Sequence, residues 1–543
     1  MPKRFWSSQA AVNQVICSCL FQLLEFIVAD SKCAASMEID TFDKLRLIER
    51  TIRETIRQYN LEDVLTGLRG TADVIPEFII GGTALFAIRY CKPGPIGPDY
   101  RPLKSSVTAH LTDLVAQYQI ADPLGFDPSI QDRYHRSNPV FTLLRIFGNQ
   151  APYSIAFFGQ HARPLILFEE IPRQLVGSKG MPDFDLEGSF HKISGASLSD
   201  FVNVGYVSFV ASYSHAGFTR GYFEKARSCG FNLPRGNLIL PALNKLAAEP
   251  SKLRQLYLKY RGADRRFGMY DFNPLFLHPI VRPWKHKNQL FMDADRLVAP
   301  LPNLILYRIS QGVFYDLFNH YGTTFSNYFG YVFESYVGLI LSHSLGSSRL
   351  LSENDIRKTY SPAKGKVPDW IIVNGRTAIL VECKATRFSR AALTVGDEGA
   401  INDSLKQVAK GLLQLANFRD ACLARAPGLD MLHDCRDFKP LLVTMEPLYL
   451  INSTLFRGYL DNQLAAEGIA DLPWRILAVG QIEALQPHLD AGVQMSRVLD
   501  DLGAKQFDSI LQQIQAKTGL TFKDSYLYSV SKRLDERLGI PDL

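Results

Sequence analysis

The stretch Val367-Pro-Asp-Trp-Ile-Ile-Val-Asn-Gly-Arg-Thr-Ala-Ile-Leu-Val-Glu-Cys-Lys384 decides the reading of this chain. Two apolar, β-branched runs flank Asn374-Gly375, a pair that tolerates the positive φ angles of a type I′ turn, so a β-hairpin is expected. With that turn Val373 faces Arg376, Ile371 faces Ala378 and Asp369 faces Leu380. Side chains alternate along a strand and paired residues share a face, so Asp369, Leu380, Glu382 and Lys384 point to one side of the sheet. Trp370, Ile372, Ile379, Val381 and Cys383 point to the other. In this register Asp369 and Glu382 are diagonal neighbours, about 7–8 Å apart at the backbone, from where two carboxylates can converge on one divalent cation. Ile371 and Ala378 keep even the acidic face partly apolar, which places the hairpin inside a sheet covered by helices. Three charges in such strands need a reason, because an unpaired buried charge is costly.

Pro368-Asp369 and Glu382-Cys383-Lys384 match the two halves of a PD-(D/E)xK motif, and at these residues the chain resembles the nuclease superfamily with the restriction-endonuclease-like fold. The resemblance implies an α/β domain with an αβββαβ core over roughly 310–485, inside a chain that is mixed α+β overall. It implies a Mg²⁺ or Mn²⁺ ion held by Asp369 and Glu382, with help from Glu334 and the backbone carbonyl of Cys383. Glu334 lies in Phe329-Gly-Tyr-Val-Phe-Glu-Ser-Tyr-Val337, which looks like the helix that carries a further acid in many relatives. Gln407 is the best match to a glutamine that faces the metal in relatives, and Gln414 is a second candidate. A carboxylate on the wet side of a helix and a polar stripe on an amphipathic one need no function, so both alternatives stay open. Lys384 would orient or deprotonate the attacking water and offset developing charge. All-oxygen ligands favour Mg²⁺ or Mn²⁺ over zinc, and the Cys383 thiol, aimed at the opposite face, is not expected to be a ligand.

Length and composition bound the rest. The 543 residues exceed one core and suggest two to four domains. A content of 46% hydrophobic and 21% charged residues is that of a folded chain, and the net charge of +6 permits a polyanionic partner without proving one. Eight cysteines without a C-x-x-C pair or zinc-like spacing fit reduced thiols and a cytoplasmic protein. Residues 10–29 are apolar but are interrupted by Gln14, Gln22 and Glu25, which favours a buried helix over a targeting signal, and no membrane span is expected. There is no phosphate loop, no H-E-x-x-H and no G-x-S-x-G.

Four regions are expected: a helical accessory domain over 1–122, a mixed α+β region over 123–300 suited to nucleic-acid binding or regulation, the nuclease-like domain over 301–490, and a helical tail over 491–543. In the first, Phe42–Tyr59 has helical spacing, and the Pro- and Gly-rich run Lys92–Pro98 reads as a breaker. In the second, Ser154–Phe158 and Pro164–Phe168 read as strands, Leu198–Ala226 as helix and Met181–Asp185 as a loop. Lys252–Lys287 holds nine basic residues against two acids, with seven aromatics interleaved. That composition suits phosphate contacts with base stacking, and equally a core with a solvated face. In the third, two helices meet at Gly322, a helix spans Asn402–Arg419, and Pro440–Met445 and Arg475–Val479 read as strands.

The expected function is a metal-dependent endonuclease acting on nucleic acid, DNA in the first place, with restriction or anti-phage defence as its setting. Cutting both strands would favour a homodimer, and a partner protein is the other route to activation. The alternative is a catalytically silent nucleic-acid-binding or assembly protein that keeps the fold.

Overall fold

The computed structural model describes residues 41–71, 74–91, 103–120, 162–178, 180–215, 217–261, 271–283, 296–345, 349–361, 366–385, 398–448, 454–469 and 471–539, with 153, 268 and 452 in addition. The helix expected within 10–29, the breaker at Lys92–Pro98 and the strand at Ser154–Phe158 lie outside these residues.

The fold is mixed α/β and mostly helical, with one five-stranded sheet in the C-terminal part. Four helices open the described chain, α1 (Thr41–Ile56), α2 (Leu61–Gly70), α3 (Glu77–Tyr90) and α4 (Ser105–Ile120). Their apolar faces close on a core that also takes in Leu253, Leu275, Val281 and Leu304. Pro164–Phe168 is helical, including a π-turn over Ile166–Glu170, where a strand was expected. A short apolar run fits either state, and here Ile166, Leu167 and Phe168 are buried among helices rather than paired in a sheet. Next come α5 (Leu198–Ser214), α6 (Leu240–Leu246) and α7 (Pro250–Tyr260). Met181–Asp185 is the expected loop, and Asp185 ends it by capping the following helix at the Gly188 N–H.

Helix α8 (Asn303–Ile309) leads into α9 (Gln311–Ser342), which bends at Gly322 with φ 57° and ψ −131°. A residue with a Cβ rarely adopts that conformation, so the glycine marks the break. The sheet follows as β1 (Arg349–Ser352), β2 (Trp370–Asn374), β3 (Thr377–Lys384), β4 (Asp437–Thr444) and β5 (Arg475–Ala478), in spatial order 1-2-3-4-5. β1–β2 and β2–β3 are antiparallel, and β3–β4 and β4–β5 are parallel. The short helix α10 (Glu353–Arg357) follows β1 directly, and α11 (Glu398–Leu423) crosses between the parallel strands β3 and β4. After β5 come α12 (Val479–Asp490), α13 (Met495–Asp501), α14 (Phe507–Thr518) and α15 (Tyr526–Leu538).

The two sheet faces divide as the alternation demands. Ile372, Ile379, Val381, Leu441 and Val443 join the core formed with α9 and α12, while Ile371, Ala378, Leu380 and Leu442 pack on α11. The first of these cores is continuous across positions 300 and 490, joining Phe201 and Leu246 to Phe329 and to Leu534 of α15.

A buried ion pair ties the front of the chain to the sheet layer. Arg163 donates from Nε and Nη2 to Oε1 and Oε2 of Glu483 at 3.0 and 2.6 Å, and the Tyr336 hydroxyl donates to Oε1 at 2.6 Å. The pair is 1% and 2% exposed, so each charge depends on the other. Replacing Arg163 alone with Met strands a carboxylate and is expected to cost about 3–5 kcal/mol in urea unfolding. The combined Arg163→Met, Tyr336→Phe and Glu483→Leu variant should recover most of that loss.

Candidate active site

The hairpin register differs by two residues from the one expected. Asn374 pairs with Thr377, Val373 with Ala378, Ile371 with Leu380 and Trp370 with Val381. The turn is Gly375-Arg376, not Asn374-Gly375. Gly375 takes φ 57°, and glycine at the first central position suits a II′ turn, so Asn374 stays in the strand. A two-residue shift preserves parity, and every side chain keeps its expected face. What changes is the opposition: one step beyond Trp370–Val381, Asp369 stands across from Glu382 rather than diagonal to it. The same step beyond Ser352–Trp370 brings in Glu353, whose N–H donates to the Asp369 carbonyl at 2.9 Å. Three acids, Glu353, Asp369 and Glu382, therefore form one row across β1, β2 and β3.

Glu334 joins this row from α9. The Trp370 indole N–H donates to the Glu334 carbonyl at 3.1 Å, and the ring lies flush on Gly338, where a Cβ would stand 2.1 Å from Cζ2. One ligand atom each from Glu334, Glu353 and Asp369 lie within 4.8 Å of one another, close enough to share a cation. The Arg357 Nε, one turn along α10, donates to Glu353 at 2.6 Å.

Glu382, 2% exposed, is held from two sides. Lys384 Nζ donates to Oε1 at 2.6 Å, and Gln414 Nε2 donates to Oε2 at 2.5 Å and to the Val367 carbonyl at 3.3 Å. Gln407 is exposed and stands apart from the row. The two glutamines are seven residues apart, which puts them on nearly the same helix face but about 10 Å apart along the axis, and it is Gln414, the second candidate, that reaches Glu382. At Cys383 the N–H donates to Asp369 Oδ2 at 2.6 Å. In an antiparallel ladder a residue's N–H and C=O point to the same neighbour, so the Cys383 carbonyl also faces β2. Its side chain packs on the α9 face, as expected. Gly411 lets α11 close on Leu442, whose Cδ1 would stand 2.7 Å from a Cβ there, while Lys384 Cε lies at ordinary contact distance, 3.5 Å.

Crowding shifts the titrations. Burial, then the charges of Asp369 and Glu353, push Glu334 up to about 8. Burial, only partly offset by the Cys383 N–H and by Lys384, raises Asp369 to about 6. Burial and then Asp369 push Glu382 up to about 8. For Lys384 burial pulls downward, but Glu382 and Asp369 outweigh it and leave the ammonium above its ordinary value. Burial and the surrounding carboxylates hold the Cys383 thiol well above the thiol range, so it is not a thiolate nucleophile.

The search of family models, of curated proteins and of solved structures found no match to this chain.

Glu353 is the residue that sequence reading missed. Its only local signal is Ser352-Glu-Asn-Asp355, a capping box in which Ser352 and Asp355 bond reciprocally and start α10. That box explains the helix start but says nothing about Asp369 across the strand.

The raised carboxyl values fix the sign of a pH effect. The folded, metal-free chain keeps protons on Glu334 and Glu382 that an unfolded chain releases near its ordinary carboxylate range, so the stability they contribute at low pH is lost as pH rises towards about 8. A divalent cation bound at the row would displace those protons. Thermal-shift measurements should therefore show stabilisation by Mn²⁺ growing from about pH 5.5 to about pH 8.5. Gly338→Ala drives a methyl group into Trp370 and should destabilise by about 1–3 kcal/mol while weakening the Mn²⁺ shift, because Trp370 positions Glu334.

Proposed function

We propose that the chain is a divalent-metal-dependent nuclease hydrolysing phosphodiester bonds of nucleic acid, with DNA as the expected substrate and restriction or anti-phage defence as the setting. The observation that carries the reading is the row Glu353, Asp369 and Glu382 with Lys384 beside it and Glu334 joining from α9. Around the row, and setting aside the one-turn helix α10 between β1 and β2, α9, β1, β2, β3, α11 and β4 follow in the order α-β-β-β-α-β, which supports the restriction-endonuclease-like core.

The residues fit a hard cation. The donors are all carboxylate oxygens, which suits Mg²⁺ or Mn²⁺, and carboxyls that burial and mutual repulsion push up this far gain from a positive charge among them. Glu334, Glu353 and Asp369 would hold the ion, with Glu382 and the Cys383 carbonyl beside it. A divalent cation there supplies Lewis-acid polarisation of the scissile phosphate. Lys384, held protonated by Glu382, serves as a donor that orients water and offsets charge on the phosphate, not as the base that takes a proton. Gln414 fixes the Glu382 carboxylate from the α11 side and so sets the position of Lys384.

The second reading, a catalytically silent nucleic-acid-binding or assembly protein, draws on one feature. Both oxygens of Glu382 are already occupied by protein donors, a closed arrangement that could serve structure alone. Incubation with Mn²⁺ or Mg²⁺ and plasmid, linear and single-stranded substrates separates the two. Cleavage abolished by EDTA, and lowered at least about 100-fold by Asp369→Ala and by Lys384→Ala, is expected. No cleavage, together with no calorimetric Mn²⁺ binding, would favour the silent reading.

A further inference from the structure

The row of acids carries a cation at each end. On the β3 side Lys384 Nζ donates to Oε1 of Glu382 at 2.6 Å. On the β1 side Arg357, one turn along α10, donates from Nε to Oε1 of Glu353 at 2.6 Å. Asp369 between them is held by a backbone N–H instead, that of Cys383. The outer carboxylates are therefore matched with side-chain cations, and the middle one is not.

The Arg357 bond matters for what it leaves unused. A guanidinium grips a carboxylate most firmly with two nitrogens, as Arg163 does on Glu483. Arg357 spends only Nε. Its terminal nitrogens have no hydrogen-bond partner among the described residues, and its side chain is 42% exposed. A Glu–Arg pair one turn apart on a long, solvated helix needs no function. Here the helix is five residues long, its start is already fixed by the Ser352–Asp355 capping box, and Glu353 is one of the three acids that gather within 4.8 Å. The pair thus holds a guanidinium, with donors to spare, beside the cluster that suits a hard cation.

Resting on the nuclease reading above, we infer that Arg357 holds a phosphate next to the scissile one, so that the substrate backbone runs along the row from β1 to β3 with Arg357 and Lys384 on either side of the cut. Neighbouring strands lie about 4.8 Å apart, which puts the backbones of Glu353 and Glu382 about 10 Å apart across Asp369. Cations anchored at the two ends of such a row suit successive phosphates of one strand better than a single phosphoryl group. The ligand is then an internal stretch of nucleic acid, not a mononucleotide or a chain end. The basic and aromatic run over Lys252–Lys287 offers less where it is described, since Tyr257 is buried against Asp271 and Arg254 is spent on the carbonyls of Ile88 and Cys91.

Fluorescence anisotropy tests this with the full chain in Ca²⁺, a labelled oligonucleotide without terminal phosphates and a series of salt concentrations. Wild type is compared with Arg357→Gln and with Lys358→Gln, an exposed neighbour bonded to Asp355, and an unchanged unfolding midpoint verifies folding. Arg357→Gln is expected to weaken binding about tenfold and to lower the salt slope by about 1, with Lys358→Gln near wild type. Calorimetry with Mn²⁺ alone separates contact from positioning: Arg357→Gln should bind the ion at least as tightly as wild type, and a loss would make Arg357 a prop for Glu353 and overturn the inference. Equal losses in both variants, an unchanged slope in Arg357→Gln, or a 5′-mononucleotide binding as tightly as the oligonucleotide also overturns it. The cleavage assay tells the failures apart. A chain that cleaves while Arg357→Gln binds normally loses this inference alone, and one that neither cleaves nor binds the oligonucleotide loses the nuclease reading with it.

Discussion

The constraint on which the rest depends is that one row of carboxylates sits at the end of a sheet whose two faces are both apolar. β3 is buried on both sides, with Ile379 and Val381 against α9 and Ala378 and Leu380 against α11. Glu382 would be an unpaired charge in that setting without Lys384 and Gln414, and Asp369 depends in the same way on the Cys383 N–H. The sheet supplies the alignment: antiparallel pairing sets Glu353, Asp369 and Glu382 side by side. The row falls where β1 ends and β2 begins, which leaves the position open for Glu334 to reach in from α9. The Trp370–Gly338 contact sets the depth at which that helix lies.

Helix α9 connects two charged centres of the molecule. Asp316 lies near its start, bonded to Lys245 and Arg308, and Glu334 lies 18 residues later among acids, about 27 Å along an unbroken helix and less across the bend at Gly322. Between them Phe325, Phe329 and Phe333 are fully buried, so the helix is locked into the common core by packing and is not free to slide. Tyr336, two residues past Glu334, adds the bond to Glu483 and through it to Arg163. The front of the chain and the sheet are thereby parts of one packed body, and the acids and the cations keep fixed positions in it. No helix among the described residues is long and apolar enough to cross a membrane.

Much of the C-terminal part was legible in the sequence. Period-two alternation gave the correct face to every residue of the hairpin. Helical spacing found α1, α9 and α11, and Gly322 marked the bend in α9. Other features left no local trace. β1 is four residues long, too short to show a period. Pro164–Phe168 is an apolar run that either state accepts, and its helical neighbours decided it.

What the sequence by itself determined is composition and parity: which residues are acids, which face of a strand or helix each one takes, and that the strands must be covered on both sides. Those properties follow from side-chain chemistry and from the two backbone periods, and a short window contains them. Tertiary structure alone decided position along the elements. A two-residue slip in the hairpin and a seven-residue slip along α11 both leave the periodic pattern unchanged, so alternation could not tell Gly375-Arg376 from Asn374-Gly375 or Gln414 from Gln407. Turn geometry and the packing of α11 over Leu442 and Lys384 made those choices. The addition of Glu353 and the meeting of Lys245 and Arg308 on Asp316 needed contacts between distant segments, and no local pattern encodes a contact whose two halves are set by different elements.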